Sequence, residues 1–239
     1  MDMRISGSGN IPGGEYEKVS VSGSGRLVGR VKCKSFTSHG TVKGDSIECA
    51  ERMKTSGTAR FSEDIKAKCV TSSGTFFCSG NLTALETITC SGTMTCQKAV
   101  KCNRLLVSGA ARLGAGVEAE QIELRGSVKC EGLINAEEVT VKMDGNADIA
   151  SIGGSRITVA IKGLKRWWKG IPLLGRAGIN AQIQTAIEGD EISVMAVTCP
   201  RITGRTVTVG KHSRIGLVQY TEHIKIAKGA RVEKVEKID

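Results

Sequence analysis

Glycine returns along this chain at nearly fixed intervals: Gly23, Gly40, Gly57, Gly74, Gly92, Gly109 and Gly126 are separated by 17, 17, 17, 18, 17 and 17 residues. A fixed period marks a repeat protein. This one is too short for a pair of helices and too long for a hairpin turn, so the unit reads as one coil of a β-solenoid. The apolar residues keep phase with the glycines. Two positions after them come Val42, Ala59, Phe76, Met94, Ala111 and Val128, and four after them Phe61, Cys78, Cys96, Leu113 and Cys130. Eight after stand Ile65, Leu82, Val100, Val117 and Ile134; ten after, Ala67, Ala84, Cys102, Ala119 and Ala136; thirteen after, Met53, Val70, Leu105, Ile122 and Val139. Each coil is therefore alternation at period two, broken by turns.

A strand with alternating pattern buries one face, and in a coil that face must point into the coil's own interior while the backbone stacks on the next coil. The expected fold is all-β: a three-sided, right-handed parallel β-helix with coils of about 17 residues and one irregular insertion. Left-handed hexapeptide solenoids call for coils of 18 and an apolar residue at every sixth position, which this chain lacks. Composition agrees. Aromatics at 3% leave no large globular core, and 30 Gly with only 3 Pro suit many tight turns between strands that keep their ladder donors.

The organisation reads as four stretches. Residues 1–14 are rich in Gly and Ser and read as a flexible leader; 15–159 form regular coils; 160–182 are a basic insertion; 183–239 resume the coils. Within the insertion, Lys162 to Arg176 hold five cations, no acid and both tryptophans, Trp167 and Trp168. Tryptophan beside Lys165, Arg166 and Lys169, followed by Leu173 and Leu174, matches a bilayer interface, with packing as a lid on the β-helix as the alternative.

The nine cysteines include no C-x-x-C, and Cys78, Cys96, Cys102 and Cys130 fall on inward columns, where a thiol is a small hydrophobe. The expected state is reduced, with no metal and no cofactor. No stretch of about 18 apolar residues suggests a membrane span, and the first residues contain no apolar signal region, so the expected location is cytoplasmic, with membrane association through the insertion.

The coil Val107-Ser108-Gly109-Ala110-Ala111-Arg112-Leu113-Gly114-Ala115-Gly116-Val117-Glu118-Ala119 resembles those of bactofilins, polymer-forming cytoskeletal proteins of bacteria. The segments Ile187-Glu188-Gly189-Asp190-Glu191-Ile192 and Ile215-Gly216-Leu217-Val218-Gln219-Tyr220 are similar to a longer, Firmicute-type branch of that family. The resemblance implies a right-handed β-helix that joins end to end into nonpolar filaments without a nucleotide, often at the membrane, as a scaffold for cell shape or for other machinery. Elementary physics points the same way, because the outermost coils of a solenoid present unpaired backbone groups over an open apolar cross-section. Val21 and Leu27 at one end and Ile224, Ile226 and Val232 at the other are the candidate polymer interface, with a second copy of the chain as partner. The charged last strand, Val232 to Ile238, favours a capped monomer instead.

Catalysis has no visible seat. His39, His212 and His223 lie on distant coils, and no phosphate loop, dinucleotide fingerprint or nucleophile elbow occurs. A polysaccharide lyase is the alternative that this fold class admits, but Glu63, Asp64, Glu118, Glu120, Glu137 and Glu138 are scattered and lack an aromatic sugar platform. The net charge of +10 is consistent with an anionic surface, whereas the scarcity of stacking aromatics argues against nucleic acid.

Overall fold

Strands that bury one edge of every second residue need partners on both sides, and here each coil obtains them from the coils before and after it. The computed structural model describes residues 1–161 and 180–239, and all regular structure in them is β, with no helix among the described residues. The strands are β1 (Met3–Ser38), β2 (Thr41–Gly44), β3 (Ser46–Phe61), β4 (Ile65–Cys78), β5 (Leu82–Cys96), β6 (Val100–Lys101), β7 (Arg104–Leu113), β8 (Val117–Ile161), β9 (Ala181–Val194), β10 (Val197–Val209), β11 (Arg214–Ile226) and β12 (Arg231–Lys237). They divide into two units, Met1–Gln121 and Ile122–Asp239. Each unit is a parallel β-solenoid.

In the first unit, partners are one coil apart in sequence: Ile47 pairs with Ile65, Gly57 with Gly74, and Phe61 with Cys78, and the next coil continues with Ile65 on Leu82 and Gly74 on Gly92. The corner explains the glycine clock. Gly57 has φ +109, and a Cβ there would lie 2.5 Å from the carbonyl oxygen of Gly40, so both the conformation and the space exclude a side chain.

The leader expected over residues 1–14 is instead ordered coil, since β1 begins at Met3. Glu17 N donates to Met1 O at 2.9 Å, Gly7 lies directly beneath Gly23, and Ile11 is fully buried. A Gly/Ser-rich segment looks like loose chain in isolation. Here its small residues suit the corner, and Met3, Ile5 and Ile11 supply the alternation.

The interior of the first unit has six inward columns, and the repeat pattern had exposed five of them. The sixth, fifteen or sixteen positions after the corner glycine, is Ser38, Thr55, Ser72, Cys90 and Val107, all buried. Its first members are hydroxyls, which hid it. Thr55 Oγ1 donates to Ser72 Oγ at 3.0 Å, and Ser38 Oγ has no hydrogen-bond partner among the described residues. Such a group typically costs ~1–3 kcal/mol, whereas the Thr55–Ser72 hydrogen bond satisfies its neighbours in the column.

In the second unit the ladders are nearly all aliphatic. Ile152, Ile187, Ile202 and Val218 stack in one column and Ile157, Ile192 and Val207 in another. Ala147 pairs with Ala181 and Val159 with Val194, so the coil is left after Ile161 and re-entered at Ala181. The insertion is thus two residues shorter at each end than its expected span of 160–182.

Candidate assembly surface and outer faces

The ends of the ladders differ from their middles. In β10, Val207, Val209 and, one coil on, Val218 of β11 are 0% exposed. The next residues in the same columns are Ile224, Ile226 and Val235, through the pairings Val207 with Ile224, Val209 with Ile226, and Val218 with Val235. Ile226 and Val235 are each 43% exposed, and Ile224 and Val232 are half-buried. Residue type hardly changes along these columns. What changes is the presence of a covering coil.

At the other end, the expected interface residues Val21 and Leu27 are 0% and 1% exposed. They are interior, because the coil built from Met3 to Gly14 lies beneath them. The half-buried apolar positions there are Met3 and Ile5. Of the five expected interface residues, the structure therefore leaves Ile224, Ile226 and Val232 accessible and withdraws Val21 and Leu27.

The last strand carries its charge on the side faces. Lys234 Nζ lies 2.5 Å from Glu236 Oε1, and Gln219 Nε2 donates to Glu236 Oε2 at 3.0 Å. The hydrogen bond from Lys234, with that from Gln219, holds the Glu236 carboxyl below its usual range. These exposed pairs add little stability. They leave the apolar edge between them open.

The expected membrane-contact residues Lys165, Arg166, Trp167, Trp168, Lys169, Leu173 and Leu174 lie outside the described residues. Among the described residues, no helix is long and apolar enough to cross a membrane.

Three of the six acids weighed for a lyase are engaged by neighbouring side chains. Asp64 Oδ1 accepts from Asn81 N at 2.7 Å and from its Nδ2 at 3.1 Å, Glu118 pairs with Lys101 at 3.0 Å, and Glu138 pairs with Arg156. Among the described residues no group of three His, Cys, Asp or Glu side chains is placed to hold a metal ion. The three histidines are exposed, with His212 in the left-handed region at φ +62.

All nine cysteines are free thiols. Cys33 stacks on Cys49 and Cys78 on Cys96, in register on neighbouring coils. The adjacent thiol, together with burial, pushes Cys33 and Cys78 far up. Burial raises Cys90, Cys130 and Cys199 to about 11, aided at Cys130 by the Glu131 charge, and Cys102 to about 12, which makes them inert packing residues at neutral pH. Compared with family models, with curated proteins and with solved structures, the chain matches none of them.

Proposed function

We propose that the chain is a structural subunit that stacks end to end, through its terminal coils, into filaments that need no nucleotide and serve as a scaffold. The observation that carries this reading is the change along single columns, from fully buried Val209 and Val218 to Ile226 and Val235 at 43% exposure. The occupant that fits such an edge is another coil of the same kind. It would supply parallel backbone donors and acceptors at rung spacing and an apolar face of matching width. A second copy of this chain brings both, in the half-buried Met3 and Ile5 of its first coil. The resemblance of the Ser-Gly coils to bactofilins supports end-to-end stacking.

Negative-stain microscopy of the purified protein tests it, with fibres one solenoid wide as the expected result. Ile226→Lys and Ile5→Lys each place a charge on a terminal face that is solvated in the monomer and buried in the polymer. Both variants are expected to keep their β signal in circular dichroism and to give short soluble particles. Discrete particles from the unmodified protein, or fibres persisting in both variants, would overturn end-to-end stacking.

A further inference from the structure

One outer face of the first unit carries a charge pattern that the assembly reading does not use. Arg26 pairs in register with Lys43, and Lys43 with Arg60, so three exposed cations stand in single file on consecutive coils. Some exposed lysines of this unit are matched to acids across neighbouring coils, as Lys32 to Glu15 at 3.3 Å, Lys34 to Glu17 at 2.6 Å and Lys68 to Glu86 at 3.2 Å, and what sets these three cations apart is that they follow one another in register. Among the described residues, Arg26, Lys43 and Arg60 make no ion pair with an acid. Like charges stacked at a rung spacing of about 4.8 Å repel one another and attract a counter-charge of matching form.

The surroundings narrow its chemistry. Two residues before each cation, on the same outward face, stand Ser24, Thr41 and Thr58, an in-register column continued by Thr75 that offers hydroxyl donors alongside the cations. The cations also line a shallow cleft with Asp45, Ser62 and Phe77. Asp45 is occupied, since its Oδ2 accepts from Gly29 N at 2.7 Å and its Oδ1 from Ser62 Oγ at 3.3 Å. Its charge bars an anion from that edge and leaves the cation and hydroxyl columns as the open track.

We propose that the column of Arg26, Lys43 and Arg60 binds a linear oligophosphate chain lying along the coil axis. Guanidinium and ammonium groups take phosphate oxygens, the flanking hydroxyls donate to the remaining ones, and the single-file geometry selects a thin unbranched chain. A base-bearing strand asks for a series of stacking platforms, and of the two aromatic side chains in this cleft Phe61 is buried and Phe77 half-buried.

The test is fluorescence anisotropy of the full chain with an end-labelled linear polyphosphate of roughly ten phosphates, titrated with salt. The expected log–log salt slope is about −2, from three released counter-ions at roughly 0.7 each. Arg26→Gln, Lys43→Gln and Arg60→Gln are each expected to weaken binding about five-fold, the triple variant to abolish it, and all to retain the wild-type circular dichroism. Lys32→Gln and Lys101→Gln remove the same charge from other faces and are expected to leave binding unchanged. Equal weakening by these controls would reduce the effect to net charge and overturn the site, as would a triple variant that binds like wild type or a wild type that does not bind. An oligothymidylate that binds more tightly than polyphosphate, with the preference lost in Phe77→Ala, would replace the proposal by a nucleic-acid site.

Discussion

The two units solve the same packing problem with different residues. In the first, the chain turns on stacked Ser-Gly corners such as Gly74 on Gly57, and its interior mixes sizes, with Gly44 fitted between Leu27 and Phe61, and Phe61 and Phe76 at 6.5 Å between ring centroids. In the second, the stacked glycines are Gly154, Gly189 and Gly204, two residues after Ile152, Ile187 and Ile202, and the interior is mainly Ile and Val with Ala beside them and no buried aromatic ring among the described residues. The difference teaches that a solenoid requires a column without side chains wherever successive backbones approach closely, but not at one particular corner. It also shows that interior volume is balanced coil by coil, large beside small, when the ladder is not uniform.

The harshest way to break the comparison is a charge inside each unit. Val117→Lys in the first and Ile134→Lys in the second place an ammonium at positions that are 2% and 0% exposed, and each is expected to cost about 3–5 kcal/mol. Urea denaturation followed by circular dichroism reads this out. Wild-type-like midpoints in either variant would refute the inward register assigned to that unit.

A smaller effect separates the corners. Gly57→Ala must accept φ +109 and a Cβ 2.5 Å from Gly40 O, and is expected to destabilise by about 2 kcal/mol. Gly189→Ala, set against Gly154 O and Ile157 Cδ1, is expected to cost a similar amount through crowding alone, because no positive φ adds to it. Thermal melts of the two variants distinguish strain from crowding: Gly57→Asn, which tolerates the left-handed region better, should recover part of the loss only if φ dominates.

The mildest effect is common to both units. Burial raises Cys90 and Cys102 in the first and Cys130 and Cys199 in the second from about 9 to about 11 or 12. The folded state therefore holds these thiols protonated where the unfolded chain ionises them. Their contribution is fully present below pH 9.0 and is lost as pH rises through the folded values. Urea midpoints measured between pH 8 and 11 should fall, and the fall should shrink in Cys102→Ala. A midpoint that stays level across that range would mean the thiols are more accessible than their burial indicates.

Much of this architecture was legible because a ladder repeats its constraint on every coil. Five of the six inward columns announced themselves as Val, Ile, Ala, Phe or Cys in fixed phase with glycine. The sixth did not, because Ser38, Thr55 and Ser72 carry hydroxyls that a hydropathy pattern assigns to the surface. The first coil was missed for a related reason: Ser6-Gly7-Ser8-Gly9 has the composition of a linker, and only the pairing that sets Gly7 under Gly23 reveals it as a corner. With that coil in place, Val21 and Leu27 passed from the end of the solenoid to its interior, while Ile224, Ile226 and Val232 kept their position at the edge.

What the sequence determined by itself is the repeat, the strand alternation and the all-β solenoid, since these follow from period and polarity alone and need no knowledge of neighbours. Tertiary structure decided which outward residues become neighbours. Arg26, Lys43 and Arg60 are 17 residues apart at each step and adjacent in space only through the register of β1, β2 and β3. The same register decided which cations find an acid and which do not, and which apolar side chains are left uncovered on the last coil. Both are properties of the stack, because charge pairing and burial depend on what the next coil places within a few ångströms.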